Sequence, residues 1–231
     1  TQDLFIVLRK IFIDYGYHKV TKQINLVCLV FHSVAYLVQV VFILSHMNVE
    51  LISRYSPMMG MTASGLVVMI VPLILEKDIW VLRKTLLLFA WSLDCAGKEV
   101  KLTIRKRSKQ VNCFNIYVFI IFFSGTVIMM PFLGDQSELF LCIQTFKYYF
   151  GFWSTVPYWL YFGTLPFVVY SSIRHAYVLF YGMLLTRQQI TLINEHLERI
   201  SEDLDEDTET YQVEIGKRLR FCIKQHIAVK M

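Results

Sequence analysis

Four long stretches of this chain contain no Asp, Glu, Lys or Arg. They cover residues 24–44, 55–75, 111–134 and 148–173, and they are 21, 21, 24 and 26 residues long. About 20 apolar residues in a helix cross the hydrocarbon core of a bilayer, and a soluble domain rarely holds four such helices. The stretches therefore predict an all-α fold: a polytopic membrane helical bundle of four transmembrane helices, the fourth ending near Arg174, with cytoplasmic helical extensions.

The positive charges lie almost entirely on one side of these stretches. Of the 23 Lys and Arg residues, 21 fall before the first stretch, between the second and third, or after the fourth. Positive residues in short loops remain cytoplasmic. Both ends of the chain are therefore predicted to be cytoplasmic. Charge beside membrane spans sets orientation and contacts anionic lipid headgroups, so the net charge of +5 does not indicate nucleic acid as a partner.

The remaining patterns divide the chain into three regions. Residues 1–23 carry apolar side chains at helical spacing (Leu4, Phe5, Leu8, Ile11 and Phe12), which predicts a helix in the cytoplasmic membrane interface. Residues 24–186 form the four-span bundle, because the fourth stretch continues past Arg174 to residue 186 without another Asp, Glu, Lys or Arg. Residues 187–231 are predicted to form a cytoplasmic helical hairpin.

Each helix of this hairpin has an apolar stripe. The first consists of Ile190, Ile193, Leu197, Ile200 and Leu204, which step by three and four residues, as in a seam for a partner helix. The second consists of Leu219, Cys222, Ile223, His226 and Ile227. An acidic segment, residues 202–209, separates them. Two interpretations remain open: the helices pack only on each other, or they also pack on other subunits.

The sequence contains no catalytic or metal-binding motif, and no enzyme activity and no cofactor are predicted. HExxH, P-loop, GxSxG and paired CxxC patterns are absent, and the six histidines are scattered. His32 and Gln39 lie within the first stretch, where a neutral side chain that hydrogen-bonds to a neighbouring helix is the favoured interpretation. The lack of Asp and Glu in the stretches argues against an ion-coupled transporter.

Several features together identify the chain as similar to the insect odorant receptor family. They are LRKIFIDYGY before the first span, the basic first cytoplasmic loop, the pair Pro131–Phe132 at the end of the third span, and QQITLINEHLERI after the fourth. The most specific is RLRFCIKQHIAVKM, with Leu219, Cys222, Ile223 and His226. The chain differs from the family in lacking three further spans and the longer extracellular loop, so we expect it to be a fragment.

The resemblance implies a function and partners. Members are seven-span plasma-membrane proteins with a cytoplasmic amino terminus, which assemble with a shared odorant receptor co-receptor, as tetramers, into odorant-gated non-selective cation channels. By this resemblance the chain is a ligand-binding subunit that detects small volatile odorants. Its residues 190–231 belong to the intersubunit anchor, and the anchor residues are Ile193, Leu197, Leu219, Ile223 and His226. The pore helix would lie beyond residue 231, so this portion alone should not conduct.

The resemblance also implies a ligand pocket in the outer half of the bundle. The predicted topology then selects the candidate ligand-binding residues: Met59, Thr62, Ser64, Phe123, Thr126, Met130, Tyr158, Trp159 and Phe162. Methionine and aromatic side chains adapt to an apolar ligand, and a few hydroxyls fix its orientation. The alternative for each residue is contact with lipid or a neighbouring helix.

Three other classes of protein are alternatives. A gustatory receptor shares the topology and differs mainly in its last span. A G-protein-coupled receptor has its amino terminus outside, which contradicts the charge distribution. A membrane enzyme requires clustered His or carboxylate residues near the interface, and the sequence has none.

Overall fold

The computed structural model describes residues 3–89, 91–93, 96–128, 130, 134, 137–202 and 210–230, and every regular element in them is helical. The α-helices are α1 (Ile6–Leu8), α2 (Lys19–Ser45), α3 (Val49–Ile74), α4 (Glu76–Phe89), α5 (Lys98–Ile128), α6 (Leu141–Phe150), α7 (Thr155–Glu198) and α8 (Tyr211–Lys230). A π-helical segment, Arg9–Asp14, follows α1, and a 3-10 helix, Gly151–Ser154, precedes α7. The predicted all-α class is confirmed for this part of the chain.

Three helices among the described residues are long and apolar enough to cross a membrane. These are α2, α3 and α5, whose mean hydropathies are 2.3, 1.8 and 1.9 over 18-residue windows. They contain most of the first three predicted spans, and they support a membrane protein. Helix α7, which contains most of the fourth predicted span, is not among these three. Its Tyr, Trp, Pro and Ser residues lower its mean hydropathy.

Side-chain caps set where α2 and α3 begin. His18 precedes α2, and its Nδ1 accepts the Val20 N–H at 3.4 Å. Asn48 precedes α3, and its Oδ1 accepts the Glu50 N–H at 3.0 Å. Both caps satisfy an amide at the first turn, which has no partner within the helix. Each helix therefore starts several residues before the apolar stretch that predicts it.

The fourth apolar stretch is not one helix, and the predicted span 148–174 differs from the structure at its start. Helix α6 ends at Phe150, Gly151 follows with a φ of +50°, and α7 begins only at Thr155. Glycine adopts this left-handed backbone without the steric cost of a Cβ. Helix α7 then continues for 44 residues, through Pro166 and past the predicted boundary at residue 186.

Helix α5 joins two features that the sequence separates. It starts at Lys98, so the basic cluster 101–109 and the third predicted span form one helix. The helix ends at Ile128, before the predicted end of that span at residue 134. The pair Pro131–Phe132 lies outside the described residues.

The chain forms two compact units. The first unit consists of Thr1–Lys10, Lys77–Asn115 and Tyr177–Met231, and the second of Ile11–Glu76 and Ile116–Ala176. The core of the first unit contains Trp91, Leu93, Ile104, Leu192, Ile193 and Cys222. The core of the second contains Ala35, Phe140, Cys142, Ile143, Phe146, Tyr161 and Phe162.

Most of the amino-terminal apolar residues at helical spacing are buried against other parts of the protein, and the placement of this segment in the cytoplasmic membrane interface stays a prediction. In the first unit, Phe5 and Leu8 are buried, and the Asn112 amide donates to the Leu4 carbonyl at 2.8 Å. In the second unit, the Phe12 ring contacts the rings of Phe119 and Tyr170, at centroid distances of 5.9 and 6.1 Å. A helix that packs on protein and a helix that lies on lipid have the same apolar spacing. Periodicity alone therefore does not distinguish the two.

Candidate functional site

The second unit contains a cavity of about 610 Å³ between its helices. Its walls come from α2, α3, α5 and α7, together with Phe140. Most lining side chains are apolar, for example Met58, Ile121, Leu165 and Val168. Pockets for small molecules have volumes of about 300–1,000 Å³ and are mostly apolar with a few placed polar groups. The cavity therefore has the size and the character of a site for a small apolar ligand.

Three of the nine predicted ligand-binding residues line this cavity: Thr62, Ser64 and Thr126. The structure brings them together from α3 and α5. Thr126 is 7 % exposed. The remaining six do not line it.

Those six residues lie in several environments. Phe162 is fully buried in the core of the second unit, and Tyr158 packs against that core. Met59 packs against a separate cluster of Phe42, Tyr55 and Leu141. The other three are Phe123 and Trp159, which are 47 % and 50 % exposed, and Met130, which is buried.

The cavity extends beyond the residues assigned to the predicted outer half of the bundle. His32 lies at the middle of α2, and Ser172 and Ile173 belong to the end of the predicted fourth span that was expected to be cytoplasmic. Residues such as Tyr161, Phe122 and Gly125 were not predicted. The one available signal was His32, because a polar residue in an apolar span points to a partner or a cavity.

His32 is the central polar group of the cavity wall. Its side chain is 1 % exposed, and its Nε2 lies 2.8 Å from the Thr164 Oγ1 of α7. Its ring also lies 4.5 Å, centroid to centroid, from that of Tyr161. The predicted hydrogen bond from His32 to a neighbouring helix is thereby confirmed. Gln39 donates to the Ala35 carbonyl of its own helix at 3.1 Å, and its side chain also hydrogen-bonds with Tyr161 of the neighbouring helix α7.

One side of the cavity is open. Met61, Ile121 and Phe122 line it, yet 67 %, 51 % and 52 % of their surfaces remain exposed. These residues belong to α3 and α5, which are two of the helices apolar enough to span a membrane. The opening is therefore surrounded by apolar side chains.

In the first unit, the predicted anchor residues divide into buried and exposed sets. Ile193 is buried in the core beside Cys222, whose thiol pKa is raised by burial. Leu197, Leu219, Ile223 and His226 are exposed. On α8, Leu219, Ile223 and Ile227 follow at four-residue steps and are 43–50 % exposed, so they form an apolar stripe, here called the α8 stripe.

Aromatic stacking fixes which side of α8 faces inward. The ring of Phe221 stacks on that of Trp91, with centroids 5.2 Å apart and an interplanar angle of 11°. The His196 ring of α7 meets Trp91 edge-on at 5.4 Å. The Gln189 side chain accepts the Trp91 amide N–H at 2.7 Å. These contacts leave the α8 stripe without a covering element among the described residues.

The described residues contain no group of three or more His, Cys, Asp or Glu side chains arranged to hold a metal ion. Comparison of the chain with protein-family models, with curated proteins and with solved structures finds no match.

Proposed function

We propose that this chain is the ligand-binding portion of a membrane chemoreceptor of the odorant receptor type, a subunit of an odorant-gated non-selective cation channel in the plasma membrane. The observation that carries the proposal is the apolar cavity of about 610 Å³ among helices of membrane-spanning length. A volatile odorant is small and largely apolar, and such a cavity stabilises it by removing apolar surface from water.

In this proposal the start of α7 is the fourth span, and the amino terminus is cytoplasmic. The charge distribution supports this orientation, since 21 of the 23 Lys and Arg residues fall on one side. A glycosylation acceptor in a long flexible insert between Ser45 and Val49 should be modified in microsomes. The same insert beside Gly97 should not be modified. The opposite pattern would contradict the orientation and the receptor assignment with it.

Binding in the cavity can be tested by filling it. A Cβ built on Gly125, which lines the cavity, meets no atom within 4 Å. Gly125→Leu should therefore occupy the cavity without disturbing the backbone, and it should reduce the binding of small apolar molecules at least tenfold. Gly163→Leu on α7 is the matched control, because its Cβ also meets nothing within 4 Å and Gly163 does not line the cavity. Equal binding by both variants would exclude the cavity as the ligand site.

Co-assembly is proposed to use the α8 stripe. An exposed apolar stripe on a helix is a surface that a partner helix can cover. Ile223→Lys should weaken co-purification with the co-receptor. Gln212→Lys, at an exposed polar position of the same helix, should leave co-purification unchanged. If both variants assemble like the parent chain, the α8 stripe is not the interface.

A further inference from the structure

The hydrogen bond between His32 and Thr164 determines which imidazole nitrogen carries the proton. The Thr164 hydroxyl is placed to donate its single hydrogen to a carbonyl of its own helix, that of Leu160 at 2.6 Å or that of Tyr161 at 3.2 Å. With the hydrogen used in this way, the Thr164 oxygen accepts in the 2.8 Å contact with His32 Nε2, which favours the tautomer that carries the hydrogen on Nε2. The four apolar stretches contain no Asp or Glu that would stabilise an imidazolium, so the ring is neutral. Its other nitrogen, Nδ1, is consequently a hydrogen-bond acceptor.

The hydroxyl groups of the cavity wall are also acceptors. Thr62 and Ser64 donate to the carbonyls of Met58 and Met61, both at 2.9 Å. Thr126 and Ser172 donate to the carbonyls of Phe122 and Val168, both at 2.9 Å. A hydroxyl has one hydrogen and two lone pairs, so each of these groups has only acceptor capacity left for a ligand.

The Tyr161 hydroxyl adds no free hydrogen-bond donor to the cavity wall. Tyr161 is 2 % exposed, and its hydroxyl interacts with the side chains of Thr62, Gln39 and Cys142. Its hydrogen-bonding capacity is therefore used within the protein. The polar groups around the cavity thus present acceptors, and His32 Nδ1 is the one left fully available, because it makes no hydrogen bond within the described residues.

We infer that the cavity selects a small apolar molecule that carries one hydroxyl donor, an alcohol or a phenol, over acceptor-only molecules such as ethers, esters and ketones. This inference rests on the proposed function and adds the chemical class of ligand. A hydroxyl donates to His32 Nδ1, whereas an ether or carbonyl oxygen would face lone pairs. A protonated amine also donates, but its charge would be buried without a carboxylate partner.

The test compares two isomers that differ only in the donor. The 231-residue chain is reconstituted in phosphatidylcholine vesicles, and 1-octanol and 1-methoxyheptane displace the fluorescent probe 1-aminoanthracene. One neutral hydrogen bond changes affinity by about fivefold, and an unmet acceptor adds a desolvation cost. We expect 1-octanol to bind about tenfold more tightly than 1-methoxyheptane.

Three variants assign that preference to His32. His32→Phe keeps a ring beside Tyr161 and removes both nitrogens, so the preference should fall to less than about twofold. His46→Phe, the same substitution directly after the end of α2 and outside the cavity, should retain it. Thr164→Val removes the group that fixes the proton on Nε2, and it should reduce the preference while the ether affinity is unchanged.

A spectroscopic readout keeps the inference testable if His32→Phe does not fold. The ¹⁵N shifts of the His32 ring in the unsubstituted chain should show hydrogen on Nε2 and none on Nδ1. The opposite tautomer would overturn the inference, and so would equal binding of the two isomers by a chain that binds both. Failure of both isomers to displace the probe would overturn the proposed function itself, and the inference with it.

Discussion

The guanidinium carbon of Arg174 lies 4.6 Å from the centroid of the Tyr17 ring. Arg174 belongs to α7 and is 2 % exposed, and its Nη1 donates to the Gly16 carbonyl. A buried guanidinium needs such partners, because removal of its charge from water is otherwise strongly unfavourable. The turn before α2 is therefore held by one side chain of α7, within the second unit.

Gly16→Ala should destabilise the protein. A Cβ at this position would meet the Phe12 carbonyl oxygen at 2.3 Å and the Arg174 Cδ at 2.7 Å. Backbone cannot move aside as a side-chain end can, and overpacking of this kind costs about 1–3 kcal/mol. The measurement is the unfolding midpoint in detergent, followed by circular dichroism. Gly60→Ala is the control, because its Cβ meets nothing within 4 Å and helix propensity favours alanine there by roughly 0.5–1 kcal/mol.

Tyr17→Phe and Tyr17→Leu should separate the ring from its hydroxyl. The Tyr17 hydroxyl is buried and makes no hydrogen bond within the described residues, so Tyr17→Phe should leave the unfolding free energy unchanged or raise it slightly. Tyr17→Leu removes the ring over Arg174 and should lower that free energy by roughly 1–2 kcal/mol. Equal effects of the two substitutions would show that the cation–π contact contributes nothing.

Alkaline pH should weaken the fold through Tyr17. Burial is the main cause that raises the Tyr17 pKa to about 12, against about 10 in an unfolded chain. A raised pKa favours the folded state fully below pH 10, and this contribution is lost as pH rises from about 10 to 12. Tyr17→Phe lacks the ionisable group, so the difference in unfolding free energy between the two chains should change across that window. An unfolding free energy that changes with pH in the same way in the parent chain and in Tyr17→Phe, from pH 9 to 12, would contradict the assignment.

The ion pair between Asp3 and Arg9 should be energetically coupled. The Arg9 Nη1 lies 2.9 Å from the Asp3 Oδ2, with side-chain exposures of 16 % and 6 %, and the Tyr181 hydroxyl donates to the same oxygen at 3.1 Å. Asp3→Asn removes the carboxylate charge from this partly buried pair and should lower the unfolding free energy by roughly 1.5–3 kcal/mol. Asp3→Asn with Arg9→Met should recover part of that loss. Tyr181→Phe should cost about 1 kcal/mol, since one hydrogen bond is lost. Additive losses in the double variant would exclude the coupling.

The sequence predicts the membrane-length helices well because their signal is local. Residues 24–44 and 55–75 contain no charged side chain, and α2 and α3 contain nearly all of these two stretches. The break at Gly151 is missed because the surrounding residues are apolar and aromatic on both sides. Only the backbone φ of Gly151 shows that α6 stops there.

The cavity is predicted less well because it depends on helix rotation. Tyr161 lines the cavity and the adjacent Phe162 does not, although both are aromatic and both are buried. Consecutive residues on a helix point about 100° apart, and composition gives no rotation about the axis when all sides are apolar. The sequence also does not identify Thr164 as the hydrogen-bond partner of His32, because the two residues are 132 positions apart along the chain.

The opening beside Met61, Ile121 and Phe122 has a kinetic consequence. These side chains belong to the apolar segments of α3 and α5, so where these two helices cross a bilayer the opening should face acyl chains rather than water. An apolar ligand then partitions into those acyl chains before it meets the protein, and the membrane acts as its reservoir. Apparent potency should therefore follow the lipid-phase concentration of the ligand, and molecules of equal intrinsic affinity should rank by their oil–water partition coefficients.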